Sequence, residues 1–128
     1  MAESERREYT RFPLQAVTKY SFINTETGDR VGEKLAGETE NIGAGGVLLR
    51  GRLPAIEEVS AILNQRLAVA CELQFSDEAE PINFIGRVAW IEDIDPQRDT
   101  CTLGVMIREI SHRDRDRLNR FVIGRAIL

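Results

Sequence analysis

Hydrophobic and polar residues alternate along most of the chain, and three stretches do so with little interruption. In RLAVACELQF, Leu67, Val69, Cys71, Leu73 and Phe75 share one face, with Glu72 and Gln74 on the other. PINFIGRVAWI sets Ile82, Phe84, Val88 and Trp90 on one side, and TCTLGVMIRE does the same with Cys101, Leu103, Val105 and Ile107. A period of two marks half-buried antiparallel strands, and turn-rich segments such as SDEAEP and DPQRD bound these runs. Earlier, RFPLQAVTKYSF alternates through Phe12, Leu14, Ala16, Tyr20 and Phe22. After the turn NTETGD a second strand is expected from Arg30 to about Asn41, weakened by Gly32 and Gly37, and GVLLR supplies a short third one.

Two segments break the period. PAIEEVSAIL has helical spacing at Ile56, Val59, Ile62 and Leu63, with Pro54 suited to its start. SHRDRDRLNRFVIGRAIL spaces Leu118, Phe121 and Val122 for a helix from about residue 111. Ser111 is its N-cap, and Asp114 sits where a capping-box acid belongs. Its interleaved charges read as a salt-bridged solvent face, while the apolar Ile123, Ile127 and Leu128 exceed one buried stripe and suggest a dimer or partner contact. About six strands and a terminal helix predict a mainly β fold, a small antiparallel barrel or rolled sheet closed on one side by the helix.

At 128 residues the chain suits one domain with a real core. We expect a flexible, arginine-rich arm over residues 1–12 and a single barrel domain over 13–128. A net charge of −4 gives no global basic field for a nucleic-acid polymer. Cys71 and Cys101 both fall on apolar strand faces and read as reduced core thiols, and His112 alone cannot make a zinc site. The first residues lack a secretory apolar region, and no apolar run has membrane-spanning length, so a cytoplasmic location without membrane insertion is expected. No nucleophile–base pair or metal set is evident, and the chain does not read as an enzyme. Trp90, on an apolar face, reads as core.

Charge adds one more feature. RREYTR places Arg6, Arg7 and Arg11 around Tyr9, and on its own such a run is a solvated tail. Hairpin register changes that picture. With NTETGD as the turn, Phe22 faces Val31, and continuing outward sets Arg11 opposite the Asn41–Ile42 region and Arg7 near Gly46. A bulge at Gly32 or Gly37 shifts this by a residue or two. The arginines therefore meet NIGAGG, whose Asn41 offers a donor and an acceptor, and whose Gly43, Gly45 and Gly46 let backbone N–H groups approach an anion. Arginine forks match phosphate oxygens and the guanine edge. The glycines are not a P-loop, because no Lys-Ser/Thr follows. Nor are they a dinucleotide fingerprint, because a strand rather than a helix follows.

With RREYTR and NIGAGG in this order, followed by GRVAWI, LGVMI and a terminal helix, the chain resembles the PilZ domain family of bacterial cyclic di-GMP receptors. The family pairs an RxxxR motif with a later (D/N)xSxxG motif. Arg7 and Arg11 supply the first, with Arg6 preceding it, and Asn41 and Gly46 supply the second. The resemblance implies a six-stranded antiparallel barrel with a C-terminal helix and no cofactor. It implies cyclic di-GMP bound by Arg6, Arg7, Arg11, Asn41, Gly43, Gly45 and Gly46. It further implies a signalling role in motility or biofilm regulation, relayed to a protein effector. Gly43 departs from the pattern, since it stands where the family has serine. Two functions follow as expectations: a ligand sensor whose arm orders on binding, or an interaction module that binds the nucleotide weakly or not at all.

Overall fold

The computed structural model describes residues 11–13, 16–43, 45–75 and 80–127. Its strands are β1 (Arg11–Pro13), β2 (Val17–Asn24), β3 (Arg30–Gly43), β4 (Gly46–Arg52), β5 (Leu67–Gln74), β6 (Ile82–Asp95) and β7 (Thr100–Ile110). The helices are α1 (Ile56–Leu63) and α2 (His112–Ile127). Strands β3, β2, β5, β6, β7 and β4 pair in that order, and β4 pairs back with β3, closing a six-stranded antiparallel barrel. Strand β1 extends the ring along β3, beyond the end of β2. Backbone pairing thus begins at Arg11, inside the segment read as an arm, whose first ten residues lie outside the described ones.

Alternation accounts for the core. Along β5 every second residue is buried, and Val69, Cys71 and Leu73 meet Tyr20, Phe22, Leu49, Ile82, Val88 and Leu103 in one cluster. The β2–β3 hairpin keeps Phe22 opposite Val31, as expected. The pairing then slips by two residues between Phe22 and Tyr20, which faces Leu35, and the extra residues of β3 include Gly32 at φ +78°. Arg11 pairs with Gly43, one residue beyond the Asn41–Ile42 region, in the direction in which that bulge shifts the register.

A second bulge moves Trp90. Val88 still faces Val105 in the core, but the register shifts before Trp90, which pairs with Gly104 on the outer face. Ile91 replaces it as the residue packed on the core. In α1 only Ile62 is fully buried, while Ile56 and Leu63 are exposed, so the helical stripe is only partly used.

Helix α2 closes the barrel through Leu118, which has no exposed surface, and through Phe121, whose ring stacks on Phe75 at 4.1 Å. Ser111 caps it, accepting from the Asp114 N–H at 3.1 Å. Asp114 does not complete a capping box. Its carboxylate accepts from the Asn83 N–H at 3.1 Å and from Arg117 Nη1 at 3.0 Å. Arg117 in turn donates to the carbonyls of Glu80 and Pro81. This pair is mostly buried and ties the helix to the start of β6, whereas Arg120–Asp116 on the same helix is exposed.

Two outcomes follow. Arg117→Ala should lower unfolding free energy by about 2–3 kcal/mol, because it leaves Asp114 and two carbonyls short of a donor. Arg120→Ala should cost under about 0.5 kcal/mol, and urea denaturation of both variants checks the contrast. Burial pushes the Cys101 thiol up to about 11 and raises Cys71 and Tyr20 as well. The fold holds these groups neutral while the unfolded chain ionises its thiols from about pH 9. Stability should hold up to about pH 9 and fall as pH rises towards 11, read from denaturation midpoints across that window.

Candidate functional site

The two motif segments meet where β3 turns into β4. Arg11 is the register partner of Gly43, Phe12 of Ile42 and Pro13 of Asn41. This edge is pinned just beyond β1, where Thr39 Oγ1 accepts from the Ala16 N–H at 2.8 Å and the Thr39 N–H donates to the Ala16 carbonyl at 3.1 Å. Arg6 and Arg7 lie outside the described residues. On the other side, the Gly45 carbonyl accepts from the Ile107 N–H at 3.0 Å, fastening the glycine turn to β7. Gly46 then opens β4 opposite Met106.

Glycine at position 46 has a steric cause. A Cβ there would lie 2.5 Å from the Val105 carbonyl oxygen, so any side chain would push β4 off β7. Gly104 has a similar one: its missing side chain leaves room for the Trp90 indole, which covers that spot. The indole Nε1–H donates to Glu92 Oε1 at 3.1 Å, which fixes the ring's orientation.

Cross-strand register arranges these residues in rows on the outer face. One row runs Asn41, Leu48, Gly104, Trp90 across β3, β4, β7 and β6. The next passes from Gly46 to Met106 to Arg87. A third bounds the surface, where Arg50 donates to Thr102 Oγ1 and Thr100 Oγ1, each at 3.1 Å. Ile42, Val47, Val105 and Val88 alternate inward beneath the first two rows and support them. Among the described residues the Asn41 amide makes no side-chain hydrogen bond, so its donor and acceptor are open to a ligand.

The chemistry offered is specific in kind. Close-approach backbone at Gly45 and Gly46, an unengaged amide at Asn41 and a flat indole at Trp90 line one surface beside the Arg11 position. Such a surface suits an anionic ligand with aromatic faces. The sequence reading brought Arg11, Asn41, Gly43, Gly45 and Gly46 together, and the structure places all five at this strand junction. It put Trp90 in the core instead of on this surface, because strict alternation through GRVAWI hides the bulge between Val88 and Trp90. Gly104 opposite an aromatic strand was the available signal, since a glycine in mid-strand marks close approach.

A closed barrel of six antiparallel strands with a C-terminal helix is an architecture this chain shares with several solved structures. A family model for the PilZ domain matches residues 5–124, and the chain belongs to that family, whose members are cyclic di-GMP receptors. Among solved structures it is similar to the Bacillus subtilis inhibitor of motility, MotI/DgrA, with TM-score 0.63 and 19% identity over 95% of this chain and 51% of that one. It therefore spans about half the length of that relative. It is similar to the PilZ domain of CeSA from a cellulose-synthesizing bacterium, with TM-score 0.54 and 16% identity over 91% of this chain and 98% of that one. It is also similar to the PilZ domain of Escherichia coli YcgR solved with c-di-GMP, with TM-score 0.58 and 15% identity over 93% and 90%. At these identities the likeness is one of fold. A comparison with curated proteins finds no match. Among the described residues no helix is long and apolar enough to cross a membrane.

Gly104→Ala should force the indole off β7 and cost about 1–3 kcal/mol through overpacking. Trp90→Ala in the same background should restore most of it, and a thermal-denaturation double-mutant cycle measures the coupling.

Proposed function

We propose that this PilZ domain is a non-catalytic receptor for cyclic di-GMP, bound across the junction of the arginine segment and the glycine turn. The observation that carries the reading is the pairing of Arg11 with Gly43, which sets the RxxxR segment against NIGAGG. Arg7 and Arg11 take the ligand's phosphates and guanine edges, Arg6 adds charge, Asn41 engages a guanine, and Gly45 and Gly46 admit the ligand to the backbone. Binding draws the arm that precedes β1 onto the barrel and thereby changes the surface offered to a protein effector. Ile123, about half exposed on α2, marks the helix face for a contact with that effector or with a second copy.

One observation favours a second reading, an interaction module with weak nucleotide binding: Gly43 lacks the hydroxyl found in the family motif. Its absence removes one neutral hydrogen bond, about 0.5–1.5 kcal/mol, whereas each arginine contact is worth about 1.5–3 kcal/mol. The arginines outweigh the missing hydroxyl, and binding is the expected result.

Calorimetry with cyclic di-GMP tests this. Wild type should bind, and Arg7→Ala and Arg11→Ala should each weaken affinity about 10- to 100-fold. Gly43→Ser should strengthen it about 2- to 10-fold. No heat from wild type at tens of micromolar, with heat restored by Gly43→Ser, would establish the module reading instead.

A further inference from the structure

Arg87 is the one described residue with a buried polar side-chain atom lacking a partner: its Nε is shut off from water and makes no hydrogen bond. Among the described residues its only hydrogen bond is from Nη2 to the Met106 thioether sulfur at 3.2 Å, a weak acceptor. A guanidinium carries five donors and a permanent charge, and half-buried ones normally sit against a carboxylate or several carbonyls. Arg117 in this same chain does so, with Asp114 and two carbonyls. Arg52 pairs with Asp99 at 3.2 Å, and Arg113 with Glu80 at 2.9 Å. Arg87 has no carboxylate within ion-pair distance among the described residues.

Its position gives the anomaly meaning. Arg87, Met106 and Gly46 form one outer row, so Arg87 stands two strands from the glycine turn, roughly 10 Å at normal strand spacing. The neighbouring row ends in Trp90 and begins in Asn41. We propose that Arg87 is a fourth arginine of the ligand site, which holds a phosphate or guanine edge of the cyclic dinucleotide on the side of the glycine turn away from Arg11. This rests on the receptor reading above and extends the site across β7 to β6. In this structure the fork lies against Met106 with its Nε–H unspent. An arriving anion turns it outward, so that Nε–H and Nη2–H point to the ligand as a parallel pair. A group kept under-satisfied in the resting fold and satisfied by ligand trades stability for binding.

A purely structural role makes the opposite prediction for stability. If Arg87 serves packing, through its aliphatic stem over the sheet, replacing it destabilises the fold and leaves affinity alone. If it serves the ligand, Arg87→Met keeps the stem volume, removes the orphaned donor and charge, and leaves the melting temperature of the ligand-free protein equal or higher. Cyclic di-GMP affinity by calorimetry should then fall at least tenfold. Arg87→Lys, which keeps charge without the fork, should fall between. In wild type, the Arg87 Nε–H resonance should shift on titration with cyclic di-GMP. Wild-type affinity in the Met variant, or a lowered melting temperature with unchanged affinity, would overturn the role of Arg87 while leaving the receptor reading intact. Absence of binding in wild type itself would remove both.

Discussion

The barrel depends on β3 being paired along both edges. A fourteen-residue strand with an open edge would leave a long row of unpaired N–H and C=O groups, so it is covered by β2 and β1 on one side and β4 on the other. Closure comes at the β3–β4 pairing, which turns a meander into a ring. Two irregularities set how closure is phased. The bulge after Phe22 advances β3 against β2, and a further shift between Thr39 and Asn41 advances it against β4. Together they bring Asn41 and Gly43 beside β1 at the same level at which Gly46 meets Met106. The site is thus a consequence of register: its two halves lie far apart in sequence and are neighbours because one strand cannot have a free edge.

Glycine and aromatic placement then shape the outer face. Inside, large apolar side chains fill the ring, with Tyr20, Leu49, Leu73, Ile82 and Leu103 nearly or wholly without exposure. Outside, Gly46 and Gly104 remove side chains where the backbone of β7 or an indole needs the room. Hydrophobic burial on the inner face supplies the stability that lets the outer face carry features a packing argument alone would not select. An unengaged amide at Asn41 and a half-buried arginine leaning on a sulfur are two of them. Both lie on the outer face, in the neighbouring rows that begin at Asn41 and at Gly46.

Much of this was legible from residue pattern. Period-two alternation located the strands and the buried cysteines, because one face of each strand is held in the core. The apolar pair Phe22–Val31 set the hairpin register closely enough to bring Arg11 to the glycine segment. The hidden features share one physical origin. Alternation assumes that phase continues along a strand, and a bulge adds a residue without any strong compositional mark, so Trp90 was assigned inward and found outward. Likewise, Asp114 stands at capping-box spacing, yet the Asn83 N–H and Arg117 compete for its carboxylate, and only the packing of α2 on β6 decides the winner. Arg87 was invisible for a related reason. In sequence it is one more polar residue on a strand face, and its lack of partners is a three-dimensional property.

The pairing of β1 bears on how such a site would signal on the receptor reading. Among the described residues three pair it to β3, each hydrogen bond worth a net 0.5–1.5 kcal/mol or so. Charge-assisted contacts from a ligand that touches both the arginine segment and the glycine turn are of comparable or larger size. A ligand on this surface therefore competes on equal terms with the ladder in deciding how the N-terminal segment lies on the barrel, whereas it cannot perturb the ring, whose strands pair over five to nine positions each. On the receptor reading, binding energy is converted into the disposition of one chain segment over a rigid frame. Population shift requires a ligand to discriminate between two arrangements of similar energy. On that reading the closed barrel is the fixed frame, and β1 is the segment whose arrangement the ligand selects, at the position where Arg11 faces Gly43.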